Sequence, residues 1–148
     1  EVARDNTRLH DFASPAAGHR LASVVLSCLL HRSCKRTMRR FGWTSQQTVP
    51  VPQAAVYDGS RAHAAFYKPH LDCKEPASNP RRLTAILYLQ PPGWDGGGEL
   101  RAWRRDGEAV AIAPRGGRLV LFRACDVLHE VRPAFATRCA LTLWAVAA

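Results

Sequence analysis

LHEVRPAFATRCALTLWAV, residues 128–146, is the stretch whose reading decides the fold. Two apolar runs rich in Val, Leu, Thr and Trp, Leu128–Arg132 and Arg138–Val146, lie on either side of the turn signal Arg132-Pro133. That grammar predicts two short strands. On the second, Arg138, Thr142 and Trp144 share one face, because alternate side chains of a strand point the same way.

The same grammar extends back to residue 52. Further candidate strands are Pro52–Tyr57, Ala64–Pro69, Leu83–Gln90, Gly98–Trp103, Ala109–Ala113 and Arg118–Phe122. Asp58-Gly59, Pro91-Pro92-Gly93, Asp106-Gly107 and Pro114-Arg115-Gly116-Gly117 separate them with residues that supply turns. Eight short antiparallel strands predict a mainly β fold, a jelly roll of the double-stranded β-helix (cupin-like) kind. The N-terminal part reads differently. From Gly18 to Arg40 apolar residues partly follow three-and-four spacing, which predicts an amphipathic helix packed on the β scaffold. Residues 1–17 show only a candidate helical turn near Thr7 to Phe12. The expectation is a single domain over 1–148, with helical support over 1–48 and the β core over 51–146.

The chain of 148 residues is 47% hydrophobic, enough for one sizeable core. No run approaches the roughly 18 apolar residues of a membrane helix, so no membrane partner is expected. Because the sequence starts at Glu1 rather than Met, the lack of a leader-like segment says nothing about the parent protein. Its 21 Lys and Arg against 12 Asp and Glu give +9, which keeps acidic partners in view. The densest patch, Arg32, Lys35, Arg36, Arg39 and Arg40, fits a solvated helix face as well as a docking site. The five cysteines are an odd number without CxxC spacing, which argues against a disulfide framework or zinc knuckle. Cys125 and Cys139 read as small buried hydrophobes. A reducing compartment, cytoplasmic or nuclear, is the expectation.

Three fragments carry the chemistry: His70-Leu71-Asp72, His129, and Arg138 nine residues further on. On an extended segment His70 and Asp72 point to one side while Leu71 faces away. Two imidazoles and one carboxylate can hold a divalent iron facially and leave its other positions open. Arg138 can grip a carboxylate as a bidentate fork. His10, His19, His31 and His63 lack such partners.

PHLD at 69–72 followed by HEVRPAFATRCALTLW at 129–144 resembles the iron- and 2-oxoglutarate-dependent prolyl 4-hydroxylases, most closely their oxygen-sensing, Egl-nine-like branch. AVYDG at 55–59, TAILYL at 84–89, GGELR at 97–101 and RLVLF at 118–122 support the likeness in the same order. An isolated HxD is a weak signal; the ordered set over residues 51–146 is far more specific.

The resemblance implies a dioxygenase that binds Fe(II) through His70, Asp72 and His129 and uses 2-oxoglutarate and O2, with ascorbate as a candidate reductant. It implies that Arg138 and the Tyr88 hydroxyl hold the distal carboxylate of 2-oxoglutarate. A half-buried strand aromatic is the plainer reading of Tyr88. Tyr57 matches a tyrosine near the iron-proximal end of the co-substrate, but stands three residues farther from the HxD than in the oxygen-sensing enzymes. Thr142 can face co-substrate or water, and Trp144 and Tyr67 can wall the pocket; core packing is the alternative for all three. The carboxylate at 72 points to hydroxylation, since Gly or Ala there would open a halide position, as in related halogenases. The implied substrate is a prolyl residue of a protein or peptide, with release of succinate and CO2. Lys68, Arg81, Arg82 and Arg101 are candidate entrance charges for an acidic substrate segment, or solubilising charges. A related oxygenase acting on lysyl, small-molecule or nucleic-acid substrates is the enzymatic alternative, nucleic acid being disfavoured because no aromatic-and-basic motif accompanies the charge. A noncatalytic jelly-roll binding module is the third.

Overall fold

A computed structural model of the chain describes residues 4–5, 7–11 and 53–146. Its strands are β1 (Arg4–Asp5), β2 (Thr7–Asp11), β3 (Gln53–Asp58), β4 (Ala65–His70), β5 (Arg81–Tyr88), β6 (Leu100–Trp103), β7 (Ala109–Ile112), β8 (Leu119–Arg123), β9 (His129–Ala134) and β10 (Thr137–Val146). They form two antiparallel sheets of five strands, ordered β1-β4-β9-β6-β7 and β2-β3-β10-β5-β8. Strands β3 to β10 are the eight read from the sequence. From β3 onward the strands alternate between the sheets as a jelly roll does, except that β6 and β7 form a hairpin within one sheet, and the chain ends with β9 beside β4 and β10 beside β3.

Two expectations are corrected. The helical support over 1–48 fails at Arg4–Asp5 and Thr7–Asp11, the second covering the predicted helical turn. β1 pairs with β4 and β2 with β3. Without them each of those strands would present a row of unpaired backbone groups, and pairing there outweighs weak local propensity. The predicted helix at 18–40 lies outside the described residues. Arg132-Pro133 is not a turn either; β9 runs through it and the chain reverses at Phe135-Ala136. Against β4 the register moves from Ala65↔Ala134 to Tyr67↔Val131, two residues opposing three. Pro133 occupies this bulge, where its missing N–H breaks no ladder bond.

Alternation sets what faces the gap between the sheets. Tyr57 and Ala55 of β3, Tyr88 and Ile86 of β5, and Val131 of β9 belong to one buried cluster there. The other face of β5 and β10 carries a second cluster, Leu83, Ala85, Leu141, Leu143 and Ala145. Both strands therefore bury both faces, which is why their sequences read as nearly continuous apolar runs.

Candidate metal centre and co-substrate pocket

His70 ends β4, Asp72 lies two residues beyond it, and His129 begins β9 directly opposite, in register with His70. A second bulge, between Tyr67 and His70, aims this end of the pair inward. One ligand atom from each of the three side chains lies within 4.8 Å of the others. Asp72 Oδ1 is 3.6 Å from His70 Nε2 and 3.9 Å from His129 Nε2. Each imidazole is locked by the backbone two residues before it: His70 Nδ1 lies 2.8 Å from Lys68 O, and His129 Nδ1 lies 3.0 Å from Val127 O. A carbonyl only accepts, so each Nδ1 carries the proton and each Nε2 presents a lone pair to the shared centre.

The electrostatics suit a cation. Burial alone would raise the Asp72 carboxyl, but His70, His129, Thr84 and Trp144 outweigh it and hold the group down at about 2. Burial lowers the His129 pKa against the opposing pull of Asp72, keeping that ring neutral and able to ligate. Thr84 donates a short hydrogen bond to Asp72 Oδ2, leaving Oδ1 for the centre. Asn79 Nδ2 ties down the Asp72 carbonyl at 3.0 Å. The ring of Phe122 packs 4.6 Å from His129, and that of Tyr67 4.4 Å from His70. Thr84 and Phe122 lie inside the quoted TAILYL and RLVLF stretches, yet only the folded register shows that they support the ligands.

Loss of Thr84 gives a measurable consequence. Asp72 has a folded pKa below its ordinary 3.8, so its contribution to stability is complete above that value and lost as pH falls through about 2. Thr84→Val removes one of the lowering hydrogen bonds, so the variant is expected to lose about 2 kcal/mol at neutral pH. In urea unfolding of the metal-free chain, this gap should close between pH 4 and pH 2, as Asp72 protonates. A gap that does not change with pH would trace to packing instead.

Arg138, at the start of β10, is 1% exposed. Its Nε donates to Gly98 O at 2.8 Å, and its guanidinium carbon stands 4.6 Å from the Tyr57 ring and 5.1 Å from the Tyr88 ring. No carboxylate pairs with it among the described residues. A buried cation left this way is costly unless an anion joins it. The buried Tyr88 hydroxyl has no hydrogen-bond partner among the described residues either. Burial raises the Tyr57 phenol to about 12 and raises Tyr88 as well, both against the lowering pull of Arg138, so both stay neutral donors. A cavity of about 260 Å³ between the sheets connects Arg138 to the three metal-site residues, with Tyr57, Thr142 and Trp144 in its wall. Trp144 Nε1 is buried on the Asp72 side of this wall and makes no hydrogen bond of normal geometry among the described residues.

Gly98 is where the chain makes room for Arg138. Its φ is +72°, and a Cβ there would stand 2.6 Å from Arg138 Cδ. Gly98→Ala is therefore expected to displace Arg138 and to weaken binding of a dicarboxylate about tenfold, alongside a stability loss of about 1 kcal/mol or more. Calorimetric titration of the variant with 2-oxoglutarate reads the first effect, and thermal unfolding the second.

The structure brings only some of the residues singled out by the sequence to one place. His70, Asp72, His129, Arg138, Tyr57 and Thr142 meet around one cavity, with Tyr67 and Trp144 in its wall. Tyr88 lies beneath the wall and reaches it through Arg138. Arg81 reaches the rim, its guanidinium 3.8 Å above the Trp144 ring, whereas Lys68, Arg82 and Arg101 do not line the cavity. Lys74 does, and was not singled out by the sequence.

The profile of the 2OG-Fe(II) oxygenase superfamily matches residues 52–146, the whole jelly roll. The chain belongs to this superfamily. Its members use Fe(II), 2-oxoglutarate and O2, and the donor set here, with two imidazoles, an ionised carboxylate and a buried cation without a carboxylate partner among the described residues, suits that combination. Solved structures similar to this oxygenase include prolyl hydroxylases. A Pseudomonas putida prolyl-4-hydroxylase is 28% identical with a TM-score of 0.73, over 96% of this chain and 71% of that one. A Trichoplax adhaerens prolyl hydroxylase, in complex with a hypoxia inducible factor oxygen degradation domain peptide fragment, is 26% identical with a TM-score of 0.75, over 97% of this chain and 64% of that one. A Phytophthora capsici prolyl 4-hydroxylase is 27% identical with a TM-score of 0.63, over 95% of this chain and 48% of that one. No curated protein matches the chain in a sequence comparison.

Proposed function

We propose that this oxygenase hydroxylates a prolyl residue of a protein or peptide, consuming 2-oxoglutarate and O2 and releasing succinate and CO2. One observation carries the dioxygenase reading: the buried Arg138, without a carboxylate partner among the described residues, opens into the same cavity as the His70, Asp72 and His129 centre. A dicarboxylic acid chelating metal at one end and needing a cation at the other fits that cavity.

His70 Nε2, His129 Nε2 and Asp72 Oδ1 would hold the iron, which would supply the oxidising chemistry. Asp72 acts as a ligand and stays ionised throughout. Arg138 would neutralise the distal carboxylate, with Tyr88 packed against its guanidinium from beneath the wall. Tyr57 and Thr142 line the path between the two ends. Ile86, Leu100 and Val131 supply apolar wall that keeps water from the reacting centre. Arg81, stacked on Trp144, stands where a substrate would enter.

The prolyl choice rests on the likeness to the prolyl hydroxylases and on the HEVRPAFATR block. The Trichoplax protein holds a peptide, which supports a peptide or protein substrate here. The test is mass spectrometry of a proline-containing peptide library incubated with the chain, Fe(II) and 2-oxoglutarate. Gain of one oxygen on proline supports the reading. Oxygen on lysine instead, or succinate formed without any modified peptide, replaces it with the related-oxygenase alternative.

A further inference from the structure

We propose that Cys73 and Cys125 form a reversible disulfide that staples the segment carrying Asp72 to the turn leading into His129. Cys73 immediately follows Asp72 and is fully buried, whereas Cys125 is partly exposed in the turn after β8. This places Cys125 outside the buried strand position its sequence suggested. The two backbones are joined already: Cys73 N–H donates to Ala124 O at 3.1 Å, and Ala124 N–H donates to Arg82 O at 3.0 Å. A hydrogen bond from residue 73 to the residue before 125 sets the two cysteines side by side across adjacent backbones, the placement a disulfide requires.

The sulfurs converge on one backbone knot. Cys125 Sγ donates to Arg81 O at 3.6 Å. Arg82 Nη1 donates to that same carbonyl at 3.0 Å and lies 3.9 Å from Cys73 Sγ. Cys73 Sγ in turn donates to Asn79 O at 3.5 Å. Both thiols are free. Burial, and after it the neighbouring Cys73, push the Cys125 thiol up to about 11, so thiolate forms there only as the solution is made alkaline.

The oxidant is a low-molecular-weight disulfide. Cys125, the accessible member, loses its proton to solvent and attacks one sulfur of that disulfide, releasing one small thiol and leaving a mixed disulfide. Cys73 then loses its proton and attacks Cys125 Sγ, displacing the second small thiol. Two protein thiols are oxidised, and one small disulfide is reduced to two thiols. The bond closes a loop that contains β5 to β8 and links the residue after Asp72 to the turn four residues before His129. It does not depend on which substrate the enzyme oxidises.

The test is incubation of the full chain with oxidised glutathione at mildly alkaline pH, followed by peptide mapping without reductant. The expected product is a single Cys73–Cys125 cross-link, two hydrogens lighter than the reduced pair and reversed by dithiothreitol. Its thermal midpoint should exceed that of the reduced chain by about 8 °C, the shift expected for closing a loop of this size in a domain of this size. Cys125→Ser should lose the cross-link and the shift, while Cys139→Ser keeps both. Persistent glutathione on Cys125 without the link, pairing with Cys28, Cys34 or Cys139, or a lower midpoint on oxidation would each overturn the proposal. The wild-type peptide map decides the matter even if a variant folds poorly.

Discussion

Alanine at Asp72 or at His129 is expected to abolish iron-dependent turnover of 2-oxoglutarate. Each change removes one of three donors gathered within 4.8 Å, and no other His, Cys, Asp or Glu joins that cluster among the described residues. Loss of groups that merely orient ligands costs a metal site about 10- to 100-fold, so loss of a ligand should lower Fe(II) affinity by about 100-fold or more. The fold should persist. Asp72 lies beyond the end of β4, and deleting it leaves two neutral imidazoles rather than an unpaired buried charge. At His129 the gap opens beside Phe122, within a well-packed wall, so a modest loss of stability accompanies the loss of metal. Fe(II) titration followed by succinate measurement reads the main effect, with thermal unfolding as the control. Wild-type turnover in either variant would remove it from the ligand set.

Why were some of these groups visible in the amino-acid sequence and others hidden? The eight core strands show because alternation and turn chemistry are local: Gly, Pro and Asp clusters bound each one, and the observed ends differ by only a few residues. Pairing order is not local. That β10 lies between β3 and β5 depends on apolar faces meeting across the molecule, and only the family likeness hinted at it. Pro133 misled for a related reason: proline breaks a regular ladder but fits a bulge, and the bulge is set by β4, distant in sequence. His70 and Asp72 were legible as a candidate metal pair because HxD needs only two-residue periodicity. Thr84 was not, since its hydroxyl gains meaning only when β5 brings it to Asp72, twelve residues away. At the N-terminus, β1 and β2 follow from neighbouring sheet edges rather than from their own weak pattern.

Arg138 was legible as a position and became informative only through its surroundings. A surface arginine at the start of a strand is solvated and contributes little when removed. This one is 1% exposed, with its Nε spent on Gly98 O and no carboxylate among the described residues. Under the proposed function, its desolvation cost is offset when a dicarboxylate binds. Arg138→Ala should raise the 2-oxoglutarate requirement by about 100-fold or more, because a buried carboxylate deprived of its charged partner forfeits about 2–5 kcal/mol. Arg138→Lys should recover part of the affinity but not all, since an ammonium offers a point charge in place of the planar fork. The two possible roles of the residue separate cleanly. If Arg138 served only to tie β10 to Gly98, its loss would lower the thermal midpoint of the ligand-free chain and leave the affinity of the surviving folded protein alone. If it serves the co-substrate, the ligand-free midpoint changes little while the stabilisation that saturating 2-oxoglutarate confers on the metal-loaded wild type disappears from the variant at the same concentration.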